Sequence, residues 1–489
     1  MVEDNSKEKV VPLKSIDLEE KFNENIANYG YKKVDYESKK INVSQPAEVE
    51  EWEETYRTDL RRQRDKILYT GGFRRLQDKT QVISATLSGD HRTRLTHTLE
   101  VEQIAISIAN ALKLNVDLVS AIALGHDVGH TPFGHAAERK LNKLLEDNGK
   151  FHHPIQSIRY IWEKYGSKIE DVIYEGILLH DSDMFNIDKE EVKKQLKYLK
   201  KIEGEKEEFH SWIDLDKWLK NFPSTLEAQV VIWADKIAYI THDLEDFLRS
   251  PMYINLQKSD DKIENRVCSI LNKLVKGQEI EKIKDFKLRN LIRNINNNLI
   301  KTSADNILSI NDFTQENVKK ETQDRSKKYE NENKRRKYLD SLIINLSDDY
   351  REDYYNLREF LDKYYIFSPE VQKSDVKAEI IVETLFNTLK SNYKLMPLDI
   401  RDDIDKAIEN ELKTNNDLKL IYNNSPEEPK SIVQFEKVIE KYKDIYDKYY
   451  IIKDKIISRK VAAYIATMTD TYAESMYRNL IGSRVDFIL

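Results

Sequence analysis

Three histidines, His126, His130 and His135, fall within ten residues of the stretch ALGHDVGHTPFGHAAERKLN (123–142), beside Asp127 and Glu138. All ten histidines of the chain lie between residues 91 and 242, and 243–489 contain none. Imidazole is the commonest metal ligand and the commonest acid-base group near neutral pH, so the first half should hold the chemistry. The adjacent pair His126-Asp127 cannot share a helix face unless something draws imidazole and carboxylate together, and a divalent metal does that. Two further ligands must come from elsewhere, and His97 and Asp235 are suitable in type.

Helices must carry these groups. Val101, Ile104, Ala105, Ile108 and Leu112 mark one apolar face of a helix over 96–112, and Asn115 can cap the next, from 116 to about 128, ended by Gly129. The signature STLE (224–227) reads as a capping box opening a helix that runs to Arg249, before Pro251, and carries Asp235, Tyr239 and Asp243 on one face. Glycine and proline are scarce, 13 and 10 in 489 residues, so the fold class is all-α. The charged stretch 183–222 reads as a solvated helical excursion, and 255–450, rich in Lys, Glu, Asn and Tyr, as scaffolding without a motif of its own. Tyrosine-studded segments such as DKYYIFSPE read as core or interface packing, and RSKKYENENKRRKY (325–338) as a solvated helix rather than a nucleic-acid contact.

Composition sets the outer bounds. With 40% hydrophobic and 34% charged residues the chain can bury a large core and offers no membrane-length apolar run. The start, MVEDNSKEKVVPL, lacks the pattern of a secretory signal. A single cysteine, Cys268, allows neither an intrachain disulfide nor a cysteine-based metal cluster, which suits a reducing compartment, so a cytoplasmic location is expected. A net charge of −7 argues against nonspecific nucleic-acid binding over the whole surface, so an anionic ligand must be met by a few placed Lys and Arg.

The segments RTRLTHTLEVEQIA (92–105), GHDVGHTPFGHAAE (125–138), FHHPIQS (151–157) and TLEAQVVIWADKIAYITHDLED (225–246) resemble, in order and spacing, the motifs of HD-domain deoxynucleoside triphosphate triphosphohydrolases of the deoxyguanosine triphosphatase-like group. FRRLQDKTQV (73–82) and YIATMTDTYAES (464–475) are also similar to that group. The resemblance implies a helical N-terminal arm (1–55), an HD phosphohydrolase core (56–255) and a large helical C-terminal region (256–489) packing on the core and on other subunits. It implies that His97, His126, Asp127 and Asp235 bind a divalent metal, Mn, Mg, Fe, Ni or Co, that holds the α-phosphate and acidifies a water.

The same resemblance gives His135 and Glu138 as the acid pair, with His153 beside them. Arg94 and Lys236 would hold phosphate. Tyr239 and Asp243 would read the sugar, and Gln77 its sugar or base end. Of the remaining histidines, His152 is the unmatched neighbour of His153, and His91, His130, His180, His210 and His242 read as structural, surface or at most outer-shell residues. The implied reaction is hydrolysis of a deoxynucleoside triphosphate, dGTP the first guess, to deoxynucleoside and triphosphate. A homotetramer or homohexamer is expected, with an activating nucleotide left open. The alternatives are a nucleotide-sensing or single-strand-binding HD module, or a phosphohydrolase of nucleoside monophosphates or phosphodiesters.

Overall fold

The computed structural model describes residues 22–32, 57–81, 92–199, 215–259, 262–276, 279–310, 312, 314–331, 338–415, 418, 432–440 and 443–481. Most of the expected arm 1–55, as well as His91 and His210, lies outside them. Among the described residues the fold is helical, with no strand and a single isolated antiparallel bridge, Thr80 to Thr93. None of these helices is long and apolar enough to cross a membrane.

The first half contributes α1 (Asp59–Leu68), α2 (Arg94–Ala111), α3 (Val116–Gly125), α4 (Gly134–Leu144), α5 (His153–Tyr165), α6 (Asp171–Leu178) and α7 (Leu226–Arg249). Their starts follow local chemistry. Thr93 and Thr96 close a reciprocal capping box on α2, and the Asn115 side chain accepts from the Asp117 and Leu118 amides at α3. On α7 the expected box does not form. Thr225 is the cap and accepts from the Ala228 amide, whereas Ser224 Oγ donates to Glu175 at 2.6 Å. Glu227 is wholly buried and accepts instead from the amides of Tyr31 (2.7 Å) and Asn115 (3.0 Å), joining α7 to the cap of α3.

α7 packs along α2, and α3 lies against both α1 and α2, so the helices that carry His97, His126 and Asp235 are mutual neighbours. α3 ends at Gly125, earlier than the apolar pattern suggests, because tertiary bonds take over. Ser157 Oγ on α5 donates to the His126 carbonyl at 2.8 Å and accepts from the Gly129 amide at 3.0 Å. The chain bends away there with its polar groups paired.

The stretch 183–222 corrects the solvated reading where it is described. Met184, Phe185, Val192, Leu196, Trp218 and Phe222 are buried in the main core. The second half supplies α8 (Ile263–Leu274), α9 (Leu288–Leu308) and α10 (Asp348–Leu361), of which α9 and α10 pack on α7. It continues with α11 (Pro369–Ser391), α12 (Lys443–Ala466) and α13 (Asp470–Ile481), where α11 packs on α4, α12 and α13. The main apolar cluster runs from Leu60 to Val371, and a second joins Ala137, Leu141, Leu145 and Phe151 to the last helices, so neither stops at residue 255. Tyr365 of DKYYIFSPE is buried, in keeping with the core alternative for that segment, and Tyr449 is buried in the second cluster.

Gly129 sits where two backbones nearly touch, and a Cβ there would lie 2.2 Å from the Ser157 amide nitrogen. Gly129→Ala should therefore lower stability by about 1–3 kcal/mol, the usual cost of overpacking. Gly71→Ala, whose Cβ would meet only the tips of Arg75 and Tyr160, should stay within about 0.5 kcal/mol of the parent. Urea denaturation of both variants checks this, and equal effects would contradict the close approach.

Candidate active site

His97 stands on the first turn of α2, His126 and Asp127 follow the end of α3, and Asp235 lies in the middle of α7. Packing of these helices brings the four together. His97 Nε2 is 3.0 Å from Asp235 Oδ1, His126 Nε2 is 4.0 Å from that oxygen, and His126 Nε2 is 3.5 Å from Asp127 Oδ2. His97, His126 and Asp127 offer donor atoms within 4.8 Å of one another, a cluster that could hold a metal ion. Burial disfavours both carboxylates, but His126 and Arg94 beside Asp127, and Lys236 and His97 beside Asp235, hold them well below the ordinary carboxylate range. His126 Nε2 is buried with no hydrogen-bond partner. An aimed, unpartnered imidazole nitrogen beside two ionised carboxylates fits a divalent cation of intermediate hardness.

Helix α4 begins in an unusual way. Phe133 and Gly134 both have positive φ, 57° and 61°, and Phe133 has a side chain that disfavours this region. The Asp470 carboxylate, at the start of α13, stabilises the turn by accepting from the Phe133 amide at 2.8 Å and the Thr80 amide at 2.9 Å. The geometry turns α4 so that its apolar side enters the second core while His135 and Glu138 face the site. Glu138 lies between two imidazoles, 3.1 Å from His135 Nδ1 and 2.9 Å from His153 Nδ1, and also accepts from the His153 amide at 2.7 Å. Burial alone would depress the His153 pKa, but Glu138 outweighs it and holds it up at about 9, so this imidazole is protonated at neutral pH.

These groups border a cavity of about 320 Å³ lined by Arg94, His97, His126, Asp127, His135, His153, Asp235, Lys236 and Tyr239 of the expected set. Arg94 is 1% exposed. Its Nη1 pairs with Asp127 Oδ2 at 2.7 Å, while Nε and Nη2 are buried without a partner. Lys236 Nζ is 3.2 Å from Asp235 Oδ2.

Other placements differ from expectation. Gln77 is exposed, and Gln81, four residues further in the same motif, lines the cavity. A sequence offering two glutamines gives no means to choose, because the choice depends on how the chain turns before α2. Asp243 is buried behind the cavity, where its Oδ2 pairs with Arg358 Nη1 at 3.1 Å and burial raises its pKa to about 7.

Arg358 itself comes from α10, inside the stretch read as plain scaffolding. Its guanidinium lies 4.5 Å from the centre of the Tyr239 ring and lines the cavity with Leu339, Tyr354 and Tyr355. His130 fixes the turn through its backbone, its amide donating to the Asp127 carbonyl at 3.0 Å, and its ring also stacks on His153 at 4.5 Å. His180, expected to be structural, surface or at most outer-shell, faces the cavity, with Nε2 3.2 Å from His153 Nε2. A second His-Asp pair, His180-Asp181, was its only sequence signal.

The helical core and this cluster define an HD-domain phosphohydrolase. Residues 94–240 match the HD domain, and 344–415, which include Tyr354 and Arg358, match a phosphohydrolase-associated domain. The chain is 34% identical over 346 residues, 70% of its length, to a deoxyguanosinetriphosphate triphosphohydrolase-like protein of Caldanaerobacter subterraneus, covering 75% of that relative. It is 33% identical over 352 residues to one of Rickettsia typhi (70% of this chain, 82% of the relative), and 29% over 454 residues to one of Brucella ovis (90% and 93%). The chain belongs to the family of deoxyguanosinetriphosphate triphosphohydrolase-like proteins.

The two carboxylates predict different variants. Asp235→Asn should abolish Mn²⁺ binding with little loss of stability, since the amide NH2 group can donate to His97 Nε2. Asp127→Ala should abolish binding and also cost about 3–5 kcal/mol, because it leaves the buried Arg94 charge uncompensated. Metal analysis after chelation and reloading, with urea denaturation, checks both. Full Mn²⁺ retention in Asp235→Asn would remove that residue from the site.

Proposed function

We propose that the chain hydrolyses deoxynucleoside triphosphates to deoxynucleoside and inorganic triphosphate. The observation that carries this reading is Arg94, a buried guanidinium with two unpartnered N–H groups at the edge of a cavity that also contains His97, His126, Asp127 and Asp235. A buried donor pair of this kind calls for an anion, and Lys236 and Arg358 add two further cations along the same wall. This charge suits a ligand of about four negative charges better than a monophosphate. The names of the relatives point to the same substrate class, with dGTP the first to test.

His97, His126, Asp127 and Asp235 would hold a divalent ion, which when bound supplies Lewis acidity and a more acidic water. Arg94 orients the phosphate chain by hydrogen bonds. His135 lies at the cavity wall with nearly half of its side chain exposed, and Glu138 orients it from behind. Its Nε2 is the atom that can give a proton to the departing 5′ oxygen. Protonated His153 balances Glu138 and keeps that carboxylate ionised. Tyr239 walls the sugar position, and its ring is fixed by Arg358, whose own guanidinium is held by Asp243. Asp243 thus acts on the sugar region through Arg358 as the structure stands.

The assembly is part of the proposal. Val376 and Ile380 on α11 and Tyr472 and Ile481 on the adjoining α13 leave about half their surface exposed, which supports packing between copies of the chain, as a tetramer or hexamer. An activating nucleotide and a cytoplasmic setting belong to the same reading.

Incubation of the Mn²⁺-loaded protein with each deoxynucleoside triphosphate, singly and in pairs, should give triphosphate and deoxynucleoside by anion-exchange chromatography. Orthophosphate would indicate a different phosphohydrolase, and no product from any nucleotide would favour a binding module. In the active protein, His135→Ala should keep bound metal but lose about 10²–10⁴ in kcat. Tyr239→Ala should narrow the preference for deoxyribo- over ribonucleotides, measured as a ratio of kcat/KM, by opening room for a 2′-hydroxyl. An unchanged ratio would show that Tyr239 does not read the sugar.

A further inference from the structure

His242 and Glu100 stand outside the cavity lining, yet they end a chain of contacts that starts at the ion site. His97 Nε2 faces Asp235, and on the other side of the same ring Nδ1 is 3.3 Å from His242 Nδ1. The two rings meet edge to face, with centroids 5.3 Å apart and planes at 77°. His242 Nε2 in turn bonds to Glu100 Oε2. Both rings are buried, His97 1% and His242 4% exposed, so water does not compete for the contact between them.

Proton positions along this chain follow from chemistry. A carboxylate only accepts, so the Glu100 contact requires hydrogen on His242 Nε2. In the tautomer with its hydrogen on Nε2, His242 presents a bare Nδ1, which can only accept. His97 must therefore donate from Nδ1, and its Nε2 is left as a lone pair directed at the point shared with Asp235 and His126. Partial burial opposes ionisation of Glu100, but the hydrogen bond from His242 and, after it, Arg92 at 3.7 Å hold this carboxylate below its usual range. The elements fit as well. Glu100 lies one turn after His97 on α2, and His242 two turns after Asp235 on α7, so one contact chain couples the two helices that supply these ligands.

We propose that Glu100 and His242 are positioning residues that fix the tautomer and the orientation of His97, so that affinity for the divalent ion depends on two side chains that do not touch it. The proposal rests on His97, His126, Asp127 and Asp235 forming the ion site. Pairs of this kind contribute about 10- to 100-fold to metal affinity. A tie that merely held α2 to α7 would change stability and leave the ligand nitrogen as it was.

The test is Mn²⁺ affinity of the full chain, measured by calorimetry, for the parent and for Glu100→Leu, His242→Phe, His242→Gln and Asp235→Asn. His242→Phe, which keeps a ring but has no acceptor, should bind Mn²⁺ about 10- to 100-fold more weakly. His242→Gln, whose carbonyl can accept from His97 Nδ1, should recover most of that loss. Glu100→Leu, which removes the acceptor for His242 Nε2–H, should weaken binding in the same direction, and combined with His242→Phe it should add nothing. In the Co²⁺ form, the exchangeable, hyperfine-shifted N–H proton of His97 should be seen in the parent and in His242→Gln and should be lost to exchange in His242→Phe. Parent-like affinity in His242→Phe, or equal affinities in the Phe and Gln variants, would overturn the proposal. If His242→Phe does not fold, Glu100→Leu at its half-exposed position decides, and unchanged affinity there overturns it. Parent-like binding in Asp235→Asn would instead show that the ion site itself is misassigned.

Discussion

The Asp127 carboxylate, 3% exposed, is bordered by the Arg94 guanidinium and by the imidazoles of His126 and His153. A carboxylate moved from water into such a setting is tolerated only when opposite charges and hydrogen bonds replace its hydration. The rest of the site follows from that requirement. Arg94 must be buried to meet Asp127, which leaves two of its nitrogens without partners and open to an anion. Glu138, facing two imidazoles, repeats the pattern one helix away, and Asp235 repeats it with Lys236 and His97. Each carboxylate is held ionised by its neighbours, and each neighbour is held charged or aimed by its carboxylate.

Such a cluster needs a rigid backbone, because its charges lose their mutual compensation when they separate. The turn after α3 gains that rigidity from several directions at once. Ser157 bonds both the His126 carbonyl and the Gly129 amide, while Asp470 accepts from the Phe133 amide. Lys79 is buried, and its ammonium bonds the carbonyls of His130 and Ala466. Burial lowers the Lys79 pKa to about 7, so this bond is kept at the cost of a charge with little solvation. Residues far apart in sequence therefore hold one loop, and distortion at Asp470 would reach His135 through Phe133.

The second half of the chain does more than cover the first. α4 buries its apolar side against α11 and the helices behind it, so the direction of His135 and Glu138 is set by residues beyond 370. α10 brings Arg358 over Tyr239, and Leu339, Tyr354 and Tyr355 complete the cavity wall. The cation supplied by Arg358 also explains how Asp243 can be wholly buried on α7.

Much of this was legible in the sequence. Scarce glycine and proline together with heptad-like apolar spacing specify helices, since helix formation depends on residues a few positions apart. The start of α2 lay within two residues of the expected boundary, and the caps at Asn115 and Thr225 occur in the motifs that suggested helix starts there. The restriction of histidine to 91–242 marked the site, because ligand chemistry needs particular residue types whatever the fold. Pairing was another matter. Whether Gln77 or Gln81 meets the cavity, whether His180 faces it, and whether Asp243 meets the ligand or Arg358 all depend on distances between helices distant in sequence. Arg358 had no local signal at all, for a helix rich in tyrosine, arginine and acidic residues looks the same whether it lines a cavity or faces water. Local sequence determined which helices form and which chemical groups they carry. Only the packing of α2, α7 and α10 decided which of those groups meet, because burial and charge compensation are properties of neighbours in space.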